Sequence, residues 1–219
     1  MRIGIISEGH ADRAVITNIL IGITGIDSSD IEPLRPTDKF DETDKASKNK
    51  LSFGGWNAVQ EECETRKLID EFLSIEGQDF IVIHLDTAEA DQYNIKRPVK
   101  SGTYSLTLRN LVIEQINVWL KGDISKMILY AIAIEEIDAW ILPIYESKDS
   151  STSAKPKEKL SLVLGKKKIS SESNYENFLS LSKNLSKERE IKKGKYLQNN
   201  ASLSAFFEEV RTKVMPKLN

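Results

Sequence analysis

The chain of 219 residues has a single cysteine, Cys63, and only two histidines, His10 and His84. One cysteine excludes a disulfide framework and any zinc site built on cysteines. The two histidines sit in unlike settings and do not read as a metal pair, and His84, inside an apolar run, reads as a core histidine with its hydrogen bonds satisfied. Long apolar runs are also missing. Met127 to Ile134 is among the longest, far short of the ~20 residues that a membrane-spanning helix needs. The opening MRIGIISEGH carries one positive charge and turns acidic at Glu8, unlike a secretory leader. There is no Gly-rich Walker loop, which disfavours nucleotide hydrolysis of that type, and no nucleophile elbow, zinc signature or internal repeat. These absences leave a cytoplasmic globular protein with no membrane partner, one core and an appendage.

What is present is an uneven distribution of charge. Residues 1–150 hold 16 Lys+Arg against 26 Asp+Glu, a net of −10, whereas residues 151–219 hold 15 against 7, a net of +8. An acidic body with a basic C-terminal region suits a metal-dependent enzyme acting on a polyanion. It equally suits basic helices docked on an acidic neighbour.

Three apolar, β-branched runs read as strands buried on both faces of a parallel sheet: residues 2–7, 79–86 and 126–134. Ile31 to Arg35 reads as a short edge strand, because Pro33 and Pro36 cannot donate to a ladder. Helical periodicity runs over residues 11–23, 56–75 and 103–120. Thr37 to Lys50 has no period and reads as a loop. Beyond a Ser-rich linker at 147–153, helices are predicted at about 157–164, 175–185 and 202–215. The expected organisation is a domain over 1–146, followed by a linker and basic helical region over 147–219.

Each long strand ends in acids. Glu8 follows the first, with Asp12 four residues on in the first turn of a helix, where a carboxylate also suits the helix dipole. Asp86 ends the second, with Glu89 and Asp91 behind it. The third leads into Glu135, Glu136 and Asp138, where the segment EEIDAWIL opens a helix. Right-handed crossovers put all three junctions on one rim, where open α/β sheets bind their ligands. Clustered carboxylates repel one another unless a cation or proton offsets them, and carboxylates are the usual protein donors to Mg²⁺. Two such ions hold the attacking and leaving oxygens of a phosphodiester.

IGIISEGHADRAVI resembles the opening motif of Toprim domains, the magnesium-binding fold of topoisomerases, primases and several nucleases. EEIDAWIL is similar to the acid-x-Trp helix start of bacterial Toprim-like defence proteins, which include the overcoming-lysogenization-defect nucleases. The resemblance covers roughly residues 1–146. It implies an open, mostly parallel α/β sheet with helices on both faces. It also implies catalytic roles for Glu8, Asp86 and Asp138, and Mg²⁺ or Mn²⁺ ligands drawn from Glu8, Asp12, Asp86, Glu89, Asp91, Glu135 and Asp138. One departure stands out: the second Asp of the family's DxD is Ala88 here, a place that Glu89 or Asp91 would have to fill.

The function expected on this reading is a metal-dependent nuclease that cleaves DNA or RNA, acting in anti-phage defence with or without a larger partner. The basic region, through Lys155, Lys157, Lys166, Lys167, Lys168, Lys192, Lys193 and Lys195, would contact the phosphate backbone. A non-catalytic Toprim-like adaptor is the alternative that Ala88 motivates, and a phosphoryl-transfer enzyme acting on a small ester is the third.

Overall fold

The structure, a computed structural model, describes residues 1–36, 55–194 and 196–218. The loop expected over Thr37 to Lys50 lies outside them. The described residues form an α/β fold around one four-stranded, all-parallel sheet: β1 (Arg2–Ile6), β2 (Ile31–Arg35), β3 (Gln78–Asp86) and β4 (Ile128–Ala133). The spatial order is β2-β1-β3-β4, with Ile3 opposite Ile31 and Phe80, and Val82 opposite Leu129. The chain leaves β1 toward β2 and then returns across it to β3. The order therefore reverses between β1 and β3, and the carboxyl ends of those two strands flank the crevice where such sheets bind ligands.

Alternation along the strands sorts the core into two layers. Ile3, Ile5, Phe80, Val82, Leu129 and Ala131 face one side, where α1 (His10–Thr24) packs. Ile6, Ile81, Ile83, Ile128 and Ile132 face the other, beneath α2 (Trp56–Thr65), α3 (Lys67–Leu73) and α4 (Tyr104–Leu120). The single helix expected over 56–75 is broken. Arg66 adopts a left-handed φ of 57°, and the buried Glu62 carboxylate accepts from the amides of Leu68 and Ile69, capping the second helix in place of solvent.

The C-terminal region completes the α1 side. After α5 (Asp138–Tyr145) come α6 (Pro156–Lys166), α7 (Tyr175–Leu181), α8 (Glu188–Lys192) and α9 (Ala201–Lys213). Leu160, Leu164, Phe178, Phe206 and Val210 join the same core as Ile5 and Val82. Trp140 stacks on Phe206 with ring centroids 5.6 Å apart, as expected of a core tryptophan. Gly22 marks where α1 meets this region most closely: a Cβ there would lie 2.0 Å from the Leu185 carbonyl oxygen. The stretch at 147–153 is not a free linker. Ser150 and Ser153 are buried, and Ser150 donates to the Ala139 carbonyl at 2.7 Å. No described helix is long and apolar enough to cross a membrane.

Candidate functional site

The carboxyl ends of β1 and β3 are joined by a side chain. Glu8, one turn before α1, has its own carbonyl held by the Gly55 amide at 2.9 Å. Its Oε1 accepts from the Asp86 backbone amide at 2.6 Å, so the carboxylate lies across the end of β3. Asp86 itself accepts from the Ile137 amide, which ties it to the turn before α5. That turn carries Asp138, whose side chain is buried with that of Asp12. Three strand–helix junctions thus bring Glu8, Asp12, Asp86 and Asp138 to one rim, with Glu136 beside them.

His84 lies beneath these acids. Two residues before Asp86 on the same strand face, it is fully buried, with Nε2 3.3 Å from Asp86 Oδ1 and Nδ1 3.9 Å from Asp12 Oδ2. Neither ring nitrogen makes a hydrogen bond of good geometry, and Asp86 Oδ1 has no partner either. The expected satisfied core histidine is therefore corrected: its ring is wedged between two carboxylates. The period-2 spacing of His84 and Asp86 was the available signal.

Burial sets the electrostatics. It pushes Glu8 up to about 8, with the Asp86 carboxylate adding to the shift, and Asp12 up to about 7. Asp138 rises to about 6, first through burial and then through Glu136. Asp86 is driven well above the usual carboxylate range by burial, then by the charges of Asp138 and Glu136. Each shift says that the folded chain disfavours the charged form of these groups, as it must when anions crowd together out of water.

Not every acid named from the sequence joins them. Glu89 and Asp91 are exposed, on a turn whose Ala90, Gln92, Asn94 and Ile95 amides bond back to the carbonyls of Thr87, Glu89, Asp91 and Ala90. Ala88 is exposed too. Glu135, at a left-handed φ of 64°, is held by Arg97, whose Nη1 and Nη2 reach its two oxygens at 2.7 and 3.2 Å. Arg97 also donates to the Thr87 and Ala88 carbonyls and to Tyr104, while Thr87 Oγ1 accepts from the Glu135 amide at 2.7 Å. Glu135 is thus committed to a clamp that joins the loops after β3 and β4. Arg97 sits in an exposed-looking run with Lys96 and Lys100, and nothing in the sequence marks it for this role.

No family model, curated protein or solved structure matches the chain. The donor chemistry of the rim is then the test of a metal. Carboxylate oxygens suit a hard cation such as Mg²⁺, and Asp86 Oδ1 is a buried acceptor without a partner. Among the described residues, however, no three His, Cys, Asp or Glu side chains converge as placed on one ion position. The rim fits such an ion in donor type and charge, with the side chains not drawn together.

The lysines divide. Lys157 is next to the acids: its amide donates to Glu136 at 3.2 Å, and its charge pulls the Asp86 and Asp138 pKa values down against the larger upward effects. Lys155 pairs with Glu158 at 2.9 Å. Lys166, Lys167 and Lys168 are exposed at the far end of α6, about 15 Å along its axis from Pro156. Lys193 lies 3.4 Å from Glu190. The Lys192 side chain and Lys195 lie outside the described residues.

Proposed function

We propose that the protein is a Toprim-like metal-dependent nuclease that cleaves DNA or RNA phosphodiesters with Mg²⁺ or Mn²⁺. We place it in the cytoplasm as an effector of anti-phage defence, alone or with a larger partner. One observation carries the reading. Two buried carboxylates, Asp12 and Asp138, and two half-buried ones, Glu8 and Asp86, line one rim from three separate strand–helix junctions, with Asp86 Oδ1 making no hydrogen bond and their charged forms disfavoured. A folded chain that keeps so costly an arrangement has a cation to receive.

Glu8, Asp86 and Asp138 would hold the ion, with Asp12 behind them. When bound, the metal polarises the phosphate and lowers the pKa of its water. The chain's own residues set the geometry around it. The Asp86 amide and the Glu8 carboxylate fix each other, and the Arg97–Glu135 clamp holds the loop that follows Asp86. His84 limits how far Asp12 and Asp86 can retreat from the rim. Lys157 supplies positive charge at the edge, on the side from which a polyanion would approach.

The adaptor reading rests on Ala88 and on the lack of three converging donors. Metal titration followed by thermal melting, run beside cleavage assays on single- and double-stranded DNA and RNA, separates the two. A nuclease shows cleavage with Mg²⁺ or Mn²⁺ and a metal-dependent rise in melting temperature that Asp86→Asn removes. An adaptor shows neither.

A further inference from the structure

We infer that the open cavity beside Asp12 seats the base and sugar of one unpaired nucleotide next to the scissile phosphate, so that single-stranded or frayed nucleic acid is the preferred substrate. This inference rests on the nuclease reading. The cavity has a volume of about 430 Å³ and lies between the first strand–helix turn, residues 9–12, and residues 173–176 at the start of α7. That size is ordinary for a small-molecule subsite. Its wall includes Asp12, so it opens directly onto the acid rim.

The lining decides which part of a nucleotide belongs there. It includes no Lys or Arg, and it carries the Asp12 and Glu176 carboxylates, which repel a phosphate. Ser173, Asn174 and Tyr175 supply uncharged polar groups, and the His10 imidazole is the one basic side chain of the lining. The Asn174 Oδ1 accepts from the Asn177 amide at 2.9 Å, while its Nδ2 makes no hydrogen bond among the described residues. Tyr175 is a fixed platform. The Arg13 guanidinium stands 4.7 Å from its ring centroid, and Arg13 is itself buried and anchored on the Pro36 carbonyl at 2.9 Å. An aromatic face held in place, beside amide, hydroxyl and carboxylate groups, matches a planar base with exocyclic amino groups. The anionic phosphate is left to the metal-binding rim. A base within a duplex is already stacked and must be extruded at a cost before it can enter, which favours single strands.

The test is equilibrium binding of a short fluorescent single-stranded oligonucleotide and of its duplex to the full-length protein with Mg²⁺. Tyr175→Ala is expected to weaken single-strand binding roughly 10-fold, as the loss of one stacked base does, while Tyr175→Phe retains it and duplex binding does not change. Ser173→Trp, at an exposed position on the wall, fills the cavity and lowers the same binding without touching Tyr175. Single-strand binding unaffected by either change, or lost equally for the duplex, overturns the inference. Cleavage and an Asp86-dependent Mg²⁺ response without Tyr175 dependence remove the subsite and leave the nuclease. Tyr175-dependent binding without any cleavage leaves the subsite and removes the nuclease, and no binding of either form overturns both.

Discussion

Two buried polar clusters in this molecule follow opposite rules. Beneath α5 and α9, the Trp140 Nε1 donates to Ser202 at 2.8 Å and Ser202 to Asn200 at 3.0 Å. Asn200 donates in turn to Ser150 and to the Ala139 carbonyl, and accepts from the Leu203 amide to cap α9. Its side-chain donor and acceptor groups are all used. At the carboxyl edge of the sheet, by contrast, both His84 nitrogens and Asp86 Oδ1 make no hydrogen bond although Nε2 stands 3.3 Å from Oδ1, and the acids around them resist ionisation. Buried polar groups cost free energy unless they are paired. The first cluster meets that requirement within the chain and serves the fold. The second leaves it open, which is what the proposed cation would offset.

Substituting one member of each cluster should push the molecule in opposite directions. The largest effect is expected from Asp86→Asn: cleavage with Mg²⁺ should fall by about two orders of magnitude or more. Melting temperature without metal should hold or rise, because one of the crowded charges is gone, and added Mg²⁺ should stabilise the variant less than the wild type. A marked loss of metal-free stability would move Asp86 into the class of Asn200. Asn200→Ala, conversely, should cost about 2–4 kcal/mol in denaturant unfolding, since it removes a helix cap and leaves the buried Ser202 hydroxyl without its acceptor. Its Mg²⁺-dependent stabilisation should match that of the wild type. Equal sensitivity of both variants to Mg²⁺ would erase the distinction.

A titration sharpens the contrast without mutation. Asp138, Asp12 and Glu8 take up protons in the folded chain at about 6, 7 and 8, against the ordinary carboxylate range near 4. Between those limits the folded state holds more protons than the unfolded one, so metal-free stability should fall as pH rises from about 4 to about 8. Mg²⁺ must displace the same protons, and its affinity should rise across that window. Melts at several pH values, with and without Mg²⁺, read both trends; metal-free stability that climbs with pH would contradict the burial of charge at the rim. The smallest effect belongs to the exposed end of α6. Reversing Lys166, Lys167 and Lys168 should leave stability within about 0.5 kcal/mol. If they touch the nucleic-acid backbone, the salt dependence of binding flattens by about one in slope per lost contact. An unchanged slope would make them a solvated surface.

The strands were legible because a run such as Phe80 to Leu85 has few other uses, and Ile31 to Arg35 kept its edge place because of its prolines. Glu8, Asp12, Asp86 and Asp138 were legible for the same reason, since position after a buried strand specifies the rim whatever the rest of the fold does. The misses share a cause. Arg66 is a good helix former, and only the Glu62 carboxylate, recruited to cap the next helix, explains why it breaks the run. Ser150 looks like a linker residue until Asn200, 50 positions later, supplies its partner. Glu135 reads as one more rim acid until Arg97 claims it. In each case a side-chain bond decides the local outcome, from six residues away for Glu62 to 50 for Asn200, and apolar periodicity carries no trace of it.

The helical cover of the sheet also has an order in time. All four strands have been synthesised once residue 133 has emerged, and the helices of the Ile81–Ile83 side come between them. The opposite side waits: β4 lacks the cover of α9 until that helix arrives, and Gly22 meets its neighbour only when Leu185 has been made. A nascent chain therefore carries this sheet face with α1 but without its α9 cover until near the end of its translation. The four rim acids are already present in that interval, but Lys157 and residues 173–176, which flank them, are not. The site is thus completed last, by residues that contribute none of its acids.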